Sequence, residues 1–291
     1  MRLATDEAEV LAKIERWASG HDLIRLVLLT SSRAVPNGPV DLLSDYDIVL
    51  VVSEPEAFAE TAEWVHGFGA PLIIVRDRES PDGIEKQSCM VLYDDGTKVD
   101  YSVWPLTVLA AIRTTGRLPE EFDVGYRVLL DKDGLAGELP PATYQAHIPA
   151  PPTAAEYRGV VEELWWVATY VAKYLWRDEF LPARVILDYE LKYLLLRRLL
   201  EWQIELDHQW SIRPGFFGRG LQRSLDPETW AEFEATYTGA DREQSWAALF
   251  RTIALFRRLA IGVGRDLGHE YPRELETKMM SYLRQIRDLG E

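Results

Sequence analysis

The sequence predicts an α+β protein with a mixed β-sheet in its N-terminal part and an all-α helical bundle in its C-terminal part. Short runs of branched apolar residues, bounded by Gly, Pro, Asp and Asn, fill the first part, whereas long stretches with helical spacing follow residue 153. A segment rich in Pro and Gly separates the two patterns. We therefore predict a first domain at 1–135, a linker at 136–153 and a second domain at 154–291.

The first domain is predicted to begin with a helix and to continue as a sheet. Residues 6–18 have apolar residues at helical spacing, with Thr5 as the N-cap. About five strands follow, in the runs IRLVLLT, YDIVLVV, PLIIVR, CMVLYDDGTKVDYSVWP and YRVLLDK. The DDG triplet at 94–96 is typical of a tight hairpin, so at least one strand pair is antiparallel and the sheet is mixed.

The second domain is predicted to contain only helices. Asp226 is the expected N-cap of one of them, because Pro227 follows at the first helical position. The predicted helices cover about 154–177, 183–206, 227–237, 242–265 and 273–288.

Composition limits the possible partners of the chain. Its 291 residues carry a net charge of −15, and residues 1–150 hold 25 acidic against 13 basic side chains. Because binding to phosphate backbones depends on Lys and Arg, nucleic acid is not an expected partner. No apolar run is long enough for a membrane span, and the acidic N-terminus is unlike a signal peptide. We expect a cytoplasmic monomer or weak dimer, with Cys89 as a packed apolar residue.

Asp45 and Asp47 are the first candidates for catalytic chemistry. Side chains two positions apart in a strand point to the same face, so these two carboxylates share one face. Two close carboxylates repel each other, and Mg²⁺ held by carboxylates and substrate phosphates commonly offsets that repulsion. The alternative is that both carboxylates lie at an exposed strand end, where water screens them.

Two further groups of residues support the metal interpretation. Ser31, Ser32 and Arg33 follow the apolar strand LVLLT, at a strand end where N–H groups and hydroxyls bind phosphate well. Asp100 lies in another apolar strand, TKVDYSVW, and is a candidate third carboxylate. This combination suits phosphoryl or nucleotidyl transfer from a nucleoside triphosphate.

The pattern resembles the nucleotidyltransferase superfamily and, more narrowly, the aminoglycoside 6-adenylyltransferases, also called streptomycin adenylyltransferases. The resemblance rests on SSRAVPNGPVDLLSDYDIVLVV, YDDGTKVDYSVWPL, VLLDKDG, ELWWVATYVAKYLWRDE with LLRRLLEWQI, and SWAALFRTIALFRRLA. These blocks cover nearly the whole chain in the family's order. The resemblance implies a nucleotidyltransferase-like first domain, a helical substrate-binding second domain, and an active site between them.

The resemblance also implies an activity and roles for residues. The chain would transfer AMP from ATP·Mg²⁺ to an aminoglycoside hydroxyl, expected to be the 6-hydroxyl of streptomycin, and so give antibiotic resistance. Asp45 and Asp47 would coordinate Mg²⁺, and Asp100 would either complete the metal site or act as general base. The phosphate contacts would come from Ser31, Ser32 and Arg33.

One departure from the family pattern leaves alternatives open. Ser31 stands where the family usually has glycine, and its Cβ crowds the phosphates or demands a strained backbone. The alternatives are transfer to another small hydroxylated acceptor and a non-catalytic protein that binds nucleotide or drug.

Residues of the helical domain are further candidates. Lys173 interrupts an apolar helix, so we expect its ammonium to need an anion, either a substrate phosphate or a protein carboxylate. Arg177, one turn later, is a weaker candidate for the same phosphate role. Guanidinium groups of a streptomycin-like drug bind carboxylates and stack on aromatic rings. The candidates for drug binding, each with ordinary helix packing as its alternative, are Glu162, Glu163, Asp188, Trp165 and Trp166.

Overall fold

The computed structural model describes residues 6–36, 38, 40–79, 86–213 and 215–289. The chain divides into two compact units, Met1–His147 and Ile148–Glu291. The boundary lies inside the predicted linker, and the part of that segment before it belongs to the first unit. There, Tyr126 donates a hydrogen bond from its hydroxyl to the carbonyl of Pro140 at 2.9 Å. The first unit therefore extends beyond the predicted domain end at 135.

The described part of the first unit contains one six-stranded mixed sheet. Its strands are β1 (Ile24–Thr30), β2 (Tyr46–Val52), β3 (Pro71–Glu79), β4 (Lys86–Tyr93), β5 (Lys98–Pro105) and β6 (Tyr126–Asp131). They lie in the order β3-β4-β5-β2-β1-β6, with β2 and β5 parallel and every other neighbouring pair antiparallel. The fold class predicted for this part of the chain is confirmed, with one strand more than expected.

The turn at 94–96 connects β4 to β5 as predicted. The main-chain N–H of Tyr93 donates to the carbonyl of Thr97 at 2.9 Å, and Gly96 has a φ of 82°. A residue with a side chain rarely adopts that backbone conformation, which explains the glycine. This hairpin sets the register of β5, the strand that carries Asp100.

Helices cover both faces of the sheet. They are α1 (Glu7–Ser19), α2 (Glu56–Glu60), α3 (Thr107–Thr115) and α4 (Glu120–Asp123). The predicted N-cap Thr5 lies outside the described residues, and Asp6 caps α1 by accepting a hydrogen bond from the N–H of Ala8 at 2.9 Å. One face packs against Ile14 of α1, and the opposite face packs against Ile112 of α3.

Strand alternation distributes the residues of β2 between these two faces. Ile48 and Leu50 belong to the core under α1, whereas Val49 and Val51 belong to the core under α3. By the same period of two, Asp47 lies on the face that α3 covers farther along the strand. Asp47 is thus at one end of the sheet face that α3 covers, and the other end of that face is buried.

The second unit is helical throughout its regular structure, as predicted. Its helices are α5 (Ala154–Trp176), α6 (Phe180–Val185), α7 (Arg197–Asp207), α8 (Leu221–Ser224), α9 (Pro227–Glu234), α10 (Arg242–Leu267) and α11 (Arg273–Asp288). The predicted cap Asp226 is confirmed, because its carboxylate accepts a hydrogen bond from the N–H of Thr229 at 2.9 Å.

The helix from α6 to α7 is continuous but irregular. Its middle part, Ile186–Leu196, is π-helical, which widens the helix around Lys192. Buried apolar residues from α5, α7 and α10 form the core of the unit, including Leu164, Leu199 and Phe256. Within the described residues, no helix combines the length and the apolar character that a membrane span requires.

Candidate active site

Asp47 and Asp100 are neighbours across the parallel pair of strands. In the sheet register, Asp47 is opposite Asp100 of β5 on one side and opposite Thr30 of β1 on the other. Adjacent strands are about 4.8 Å apart, and aligned residues point to the same face, so the two carboxylates lie side by side. Asp45 precedes β2 by one residue and completes the acidic group. The structure therefore brings together the three carboxylates that the sequence predicts as catalytic.

The acidic group is electrostatically unfavourable in itself. Burial, followed by the negative charges of Asp100 and Asp45, raises the pKa of Asp47 to about 6, against the opposing hydrogen bond from Ser31 and the charge of Lys98. The pKa of Asp100 is also raised, first by burial, and its Oδ1 atom is buried without a hydrogen-bond partner. Such an arrangement is stabilised by a cation, which is the property that a metal site needs.

Lys98 is the cation that contacts these carboxylates. Its Nζ atom lies 2.5 Å from Oδ2 of Asp45 and 3.5 Å from Oδ2 of Asp100. Burial lowers the pKa of Lys98, but the hydrogen bond to Asp45 and the charge of Asp100 raise it more. The ammonium lies between two of the three predicted metal ligands.

The predicted three-carboxylate metal cage is not preformed. Among the described residues, no three His, Cys, Asp or Glu side chains are arranged so that they hold a metal ion by themselves. In this structure, the ammonium of Lys98 is the cation that contacts Asp45 and Asp100. Two carboxylates and the phosphates of a bound substrate are a common alternative ligand set for Mg²⁺.

Ser31 begins the turn that follows β1. Ser31–Arg33 form one turn of 3-10 helix, and Ser31 has a φ of 59°, in the left-handed region that favours glycine. The expectation of a strained backbone at this position is thus confirmed. The hydroxyl of Ser31 hydrogen-bonds to Asp47, which lowers the pKa of that carboxyl. The turn places Ser31 and Ser32 next to the acidic group.

Arg33 does not have the predicted phosphate-binding orientation. Its guanidinium pairs with Glu7 at 2.7 Å and donates to the carbonyls of Asp45 at 3.0 Å and Ser44 at 2.7 Å. It also stacks on the ring of Tyr46, and only 6% of the side chain is exposed. The main-chain carbonyls of the segment before β2 need donors, and Arg33 supplies them. Arg33 therefore positions Asp45.

One face of α5 brings several predicted residues of the second unit together. Glu163, Trp166 and Lys173 are separated by three and seven residues, which places them along one stripe of the helix, and Arg177 follows Lys173 by four as the C-cap. Tyr170 belongs to the same stripe. Its ring lies 5.9 Å from that of Trp166 and 4.5 Å from the ammonium of Lys173.

The environment of Lys173 differs from the expected one. The side chain is half-buried, and its ammonium also lies 4.9 Å from the ring of Tyr174. Within the part of the chain that the structure describes, no carboxylate is within ion-pair distance of it. Glu162, on the neighbouring side of α5, pairs with Arg158 at 2.7 Å.

Two predictions for the second unit are wrong. Trp165 is 1% exposed inside the helical core, so its ring offers no surface to a drug. Asp188 already has two cationic partners, Arg184 at 2.9 Å and Lys192 at 2.7 Å. Because Lys192 is completely buried, its charge requires this carboxylate.

Sequence reasoning singled out neither Tyr170 nor Lys98 as a residue of the site. Tyr170 follows Trp166 by four residues and precedes Lys173 by three, so helical spacing alone predicts the stripe. Lys98 precedes Asp100 by two residues, and strand alternation places both on one face. Only the structure shows that Lys98 also reaches Asp45 on the neighbouring strand.

Solved structures similar to this chain include a crystal structure of an aminoglycoside 6-adenyltransferase from Bacillus subtilis. It has 26% sequence identity and a TM-score of 0.47, and the comparison covers 99% of each chain. A nucleotidyltransferase-like protein from Exiguobacterium sibiricum has 10% identity and a TM-score of 0.36, over 90% of this chain and 78% of that one.

Sequence comparison also matches most of the chain to named relatives. The aminoglycoside 6-adenylyltransferase of Bacillus subtilis (strain 168) is 31% identical over 271 residues, which cover 91% of this chain and 93% of the relative. The protein of the same name from Campylobacter jejuni is 28% identical, over 98% of this chain and 97% of the relative. The model of the streptomycin adenylyltransferase family matches residues 4–286. The family that the motifs predicted is therefore confirmed, and this chain belongs to the streptomycin adenylyltransferase family.

Proposed function

We propose that this protein transfers AMP from ATP to a hydroxyl of an aminoglycoside, with the 6-hydroxyl of streptomycin as the preferred acceptor. The observation that carries the proposal is the acidic group at the end of the sheet, where Asp47 and Asp100 are aligned on adjacent strands beside Asp45. Family membership and relatives named aminoglycoside 6-adenylyltransferases support the same reaction.

Asp45 and Asp47 are the residues we propose to hold Mg²⁺ together with the triphosphate. The fit rests on this chain's own electrostatics, because burial and neighbouring negative charge raise the pKa of Asp47 and an ammonium already contacts Asp45. When bound, the metal ion would supply Lewis-acid stabilisation of charge at the phosphates. Arg33 keeps Asp45 in place through the main-chain carbonyl of that residue.

The phosphate end of the nucleotide is assigned to the turn after β1. Ser31 and Ser32 have hydroxyls and main-chain N–H groups next to the acidic group, which suits an anion-binding turn. Lys173 and Arg177 stay proposed as additional phosphate ligands, and Lys173→Met tests this through the affinity for ATP. A rise in the dissociation constant of ATP of about tenfold is expected for the loss of one charge-assisted contact.

Asp100 is the proposed general base. Its pKa is raised and one of its oxygens has no hydrogen-bond partner, so the carboxylate is able to accept a proton. In the reaction, the acceptor oxygen forms a bond to the α-phosphorus, the bond from that phosphorus to pyrophosphate breaks, and the hydroxyl proton passes to Asp100. Asp100→Asn should therefore lower kcat more than it weakens ATP binding.

The acceptor is assigned to the exposed stripe of α5. Trp166 is 64% exposed, and its ring lies against Tyr170, so a flat sugar or guanidinium group has a surface on which to stack. Glu163 and Glu162 are exposed carboxylates beside it, although Glu162 already pairs with Arg158. Trp166→Ala should raise the KM for the drug without changing the KM for ATP.

The decisive experiment is to incubate the protein with ATP, Mg²⁺ and streptomycin and to measure the mass of the drug. The expected result is a product heavier by one AMP, with release of pyrophosphate, and formation of that product about a thousandfold more slowly by the Asp47→Asn variant. An aminocyclitol without guanidino groups serves as the comparison acceptor. Product formed only from that comparison acceptor would overturn the assignment of streptomycin as the acceptor. The proposed transfer of AMP would still hold.

The second candidate function is binding without turnover, which the φ of 59° at Ser31 favours because a strained turn would present its N–H groups to a phosphate in a different geometry. Calorimetry separates the two functions. Binding of ATP and streptomycin with no adenylylated drug after long incubation would identify a sequestering protein. Resistance of a bacterial strain that expresses the wild-type chain, lost in the Asp47→Asn variant, would instead support the transferase.

A further inference from the structure

The contact between Lys98 and the acidic group connects residues of different strands. Lys98 and Asp100 are two residues apart on β5, whereas Asp45 lies just before β2. The same ammonium is 2.5 Å from Asp45 and 3.5 Å from Asp100, so it links both sides of the group through one oxygen of each carboxylate. Short contacts between ionised groups are the stronger class of hydrogen bond.

The position of this ammonium is incompatible with a divalent metal ion on the same oxygens. Mg²⁺ coordinates carboxylate oxygens at about 2.0–2.1 Å. An ammonium that stays within hydrogen-bond distance of Oδ2 of Asp45 would then be only a few ångströms from a doubly charged ion. Like charges at that separation repel strongly in a partly buried site, so the two cations exclude each other.

We propose that Lys98 is a built-in counter-cation that competes with the divalent metal for Asp45. It holds Asp45 and Asp100 in the metal-free protein and moves away when the metal binds. This inference rests on the proposed function, since it takes Asp45 as a metal ligand. As a consequence, free metal binds weakly, and the metal binds best together with the nucleotide, whose negative charges attract the displaced ammonium.

The side chain has the freedom that this role requires. It is 44% exposed, so four flexible methylene groups can carry the ammonium away without disturbing a packed core. An ordinary surface ion pair would have the same appearance but no effect on metal binding. Lys13 and Asp95 provide such a pair in the same unit, with a distance of 3.3 Å and exposures of 40% and 35%.

The test is a titration of nucleotide-free protein with Mn²⁺, in which the electron paramagnetic resonance signal reports the free ion. Lys98→Met should bind Mn²⁺ about fivefold more tightly than the wild type, which corresponds to release of one partly exposed ion pair. Lys98→Arg keeps the charge and should remain close to the wild type. Lys13→Met makes the same change in net charge at the control pair and should leave the affinity unchanged.

The outcomes separate this inference from the proposed function. Equal or weaker Mn²⁺ binding by Lys98→Met overturns the role of Lys98, including the case in which neither protein binds Mn²⁺ without nucleotide. A parallel titration of the wild type with a non-hydrolysable ATP analogue tests the metal site itself. Absence of Mn²⁺ binding there would refute the proposed function, whereas binding there with no effect of Lys98→Met refutes only the competition. Thermal melting of each variant confirms that the chain is folded.

Discussion

Two clusters of charged residues in this protein, one in each unit, have opposite electrostatics. At the end of the sheet, the ammonium of Lys98 contacts two of three carboxylates, Asp45 and Asp100, and the pKa of the third, Asp47, is raised to about 6. On the π-helical segment of the second unit, a single carboxylate, Asp188, is shared by two cations, Arg184 and Lys192.

The difference indicates which cluster has a binding role. A carboxylate with two cationic partners needs no ligand, and its removal would leave the buried Lys192 without its anion. A group of carboxylates with too little positive charge lowers the stability of the free protein and gains stability when a cation binds. Raised pKa values and missing charge therefore favour the end of the sheet as the site of catalysis.

The largest expected effect comes from replacing a carboxylate of the sheet cluster. Asp47→Asn should lower the rate of drug adenylylation about a thousandfold, because a metal-dependent transition state loses several kcal/mol of stabilisation. The matched change Asp188→Asn should alter the rate less than about tenfold, which is clearly distinguishable from the loss expected for Asp47→Asn. Steady-state kinetics with circular dichroism as a folding control measures both. Similar losses in the two variants would contradict the comparison.

The next largest effect concerns the stability of the helical cluster. Asp188→Ala should lower the free energy of unfolding by about 3 kcal/mol, because it leaves the ammonium of Lys192 buried without a carboxylate. The double variant with Lys192→Met should recover most of this loss, since neither charge then remains unpaired. Urea unfolding of the single and double variants measures the coupling. Additive losses would show that the ion pair does not determine stability here.

The raised pKa of Asp47 predicts that replacing this residue stabilises the folded protein, by an amount that depends on pH. The folded protein binds the Asp47 proton more tightly than the unfolded chain, so this group's contribution to stability is lost as pH rises from about 4 to about 6. Asp47→Asn should therefore be more stable than the wild type by about 2 kcal/mol at pH 7.5 and nearly equal to it at pH 4. Urea unfolding in metal-free buffer at both pH values is the measurement. A difference that does not change with pH would contradict the raised pKa.

The smallest expected effect tests the strained turn beside the sheet cluster. Ser31→Gly and Ser31→Ala both remove the hydroxyl that hydrogen-bonds to Asp47, but only glycine adopts a φ of 59° without strain. The glycine variant should be about 1 kcal/mol more stable than the alanine variant. Thermal unfolding of the pair isolates the strain from the lost hydrogen bond. Equal stability would show that the turn relaxes around the side chain.

Several features of the fold and the site were predictable because they depend on local order along the chain. The alternation of β2 placed Asp47 on a defined face, and the hairpin at 94–96 followed from its DDG triplet. The cap at Asp226 followed from the proline after it. In each case, the residues that determine the structure are within a few positions of one another.

The roles that sequence reasoning assigned incorrectly involve residues distant along the chain. Arg33 pairs with Glu7 and donates to the carbonyls before β2, which need a donor. Trp165 and Trp166 are adjacent in an apolar helix, and only the packing of the other helices decided that the first is buried and the second exposed. Asp188 is the exception, because its partners Arg184 and Lys192 lie four residues away on either side, where helical spacing alone indicates the ion pairs. Only the complete burial of Lys192 was decided by the packing of the other helices.

The amino-acid sequence by itself determined the order of strands and helices, the family, and the strand positions of Asp47 and Asp100, since all of these follow from local periodicity and motif spacing. The tertiary structure alone decided which charges meet. Strand register set Asp47 beside Asp100, and the Lys98 ammonium reached across to Asp45. The physical reason is that electrostatic interactions depend on distance in space, which residue order does not specify for groups on different strands.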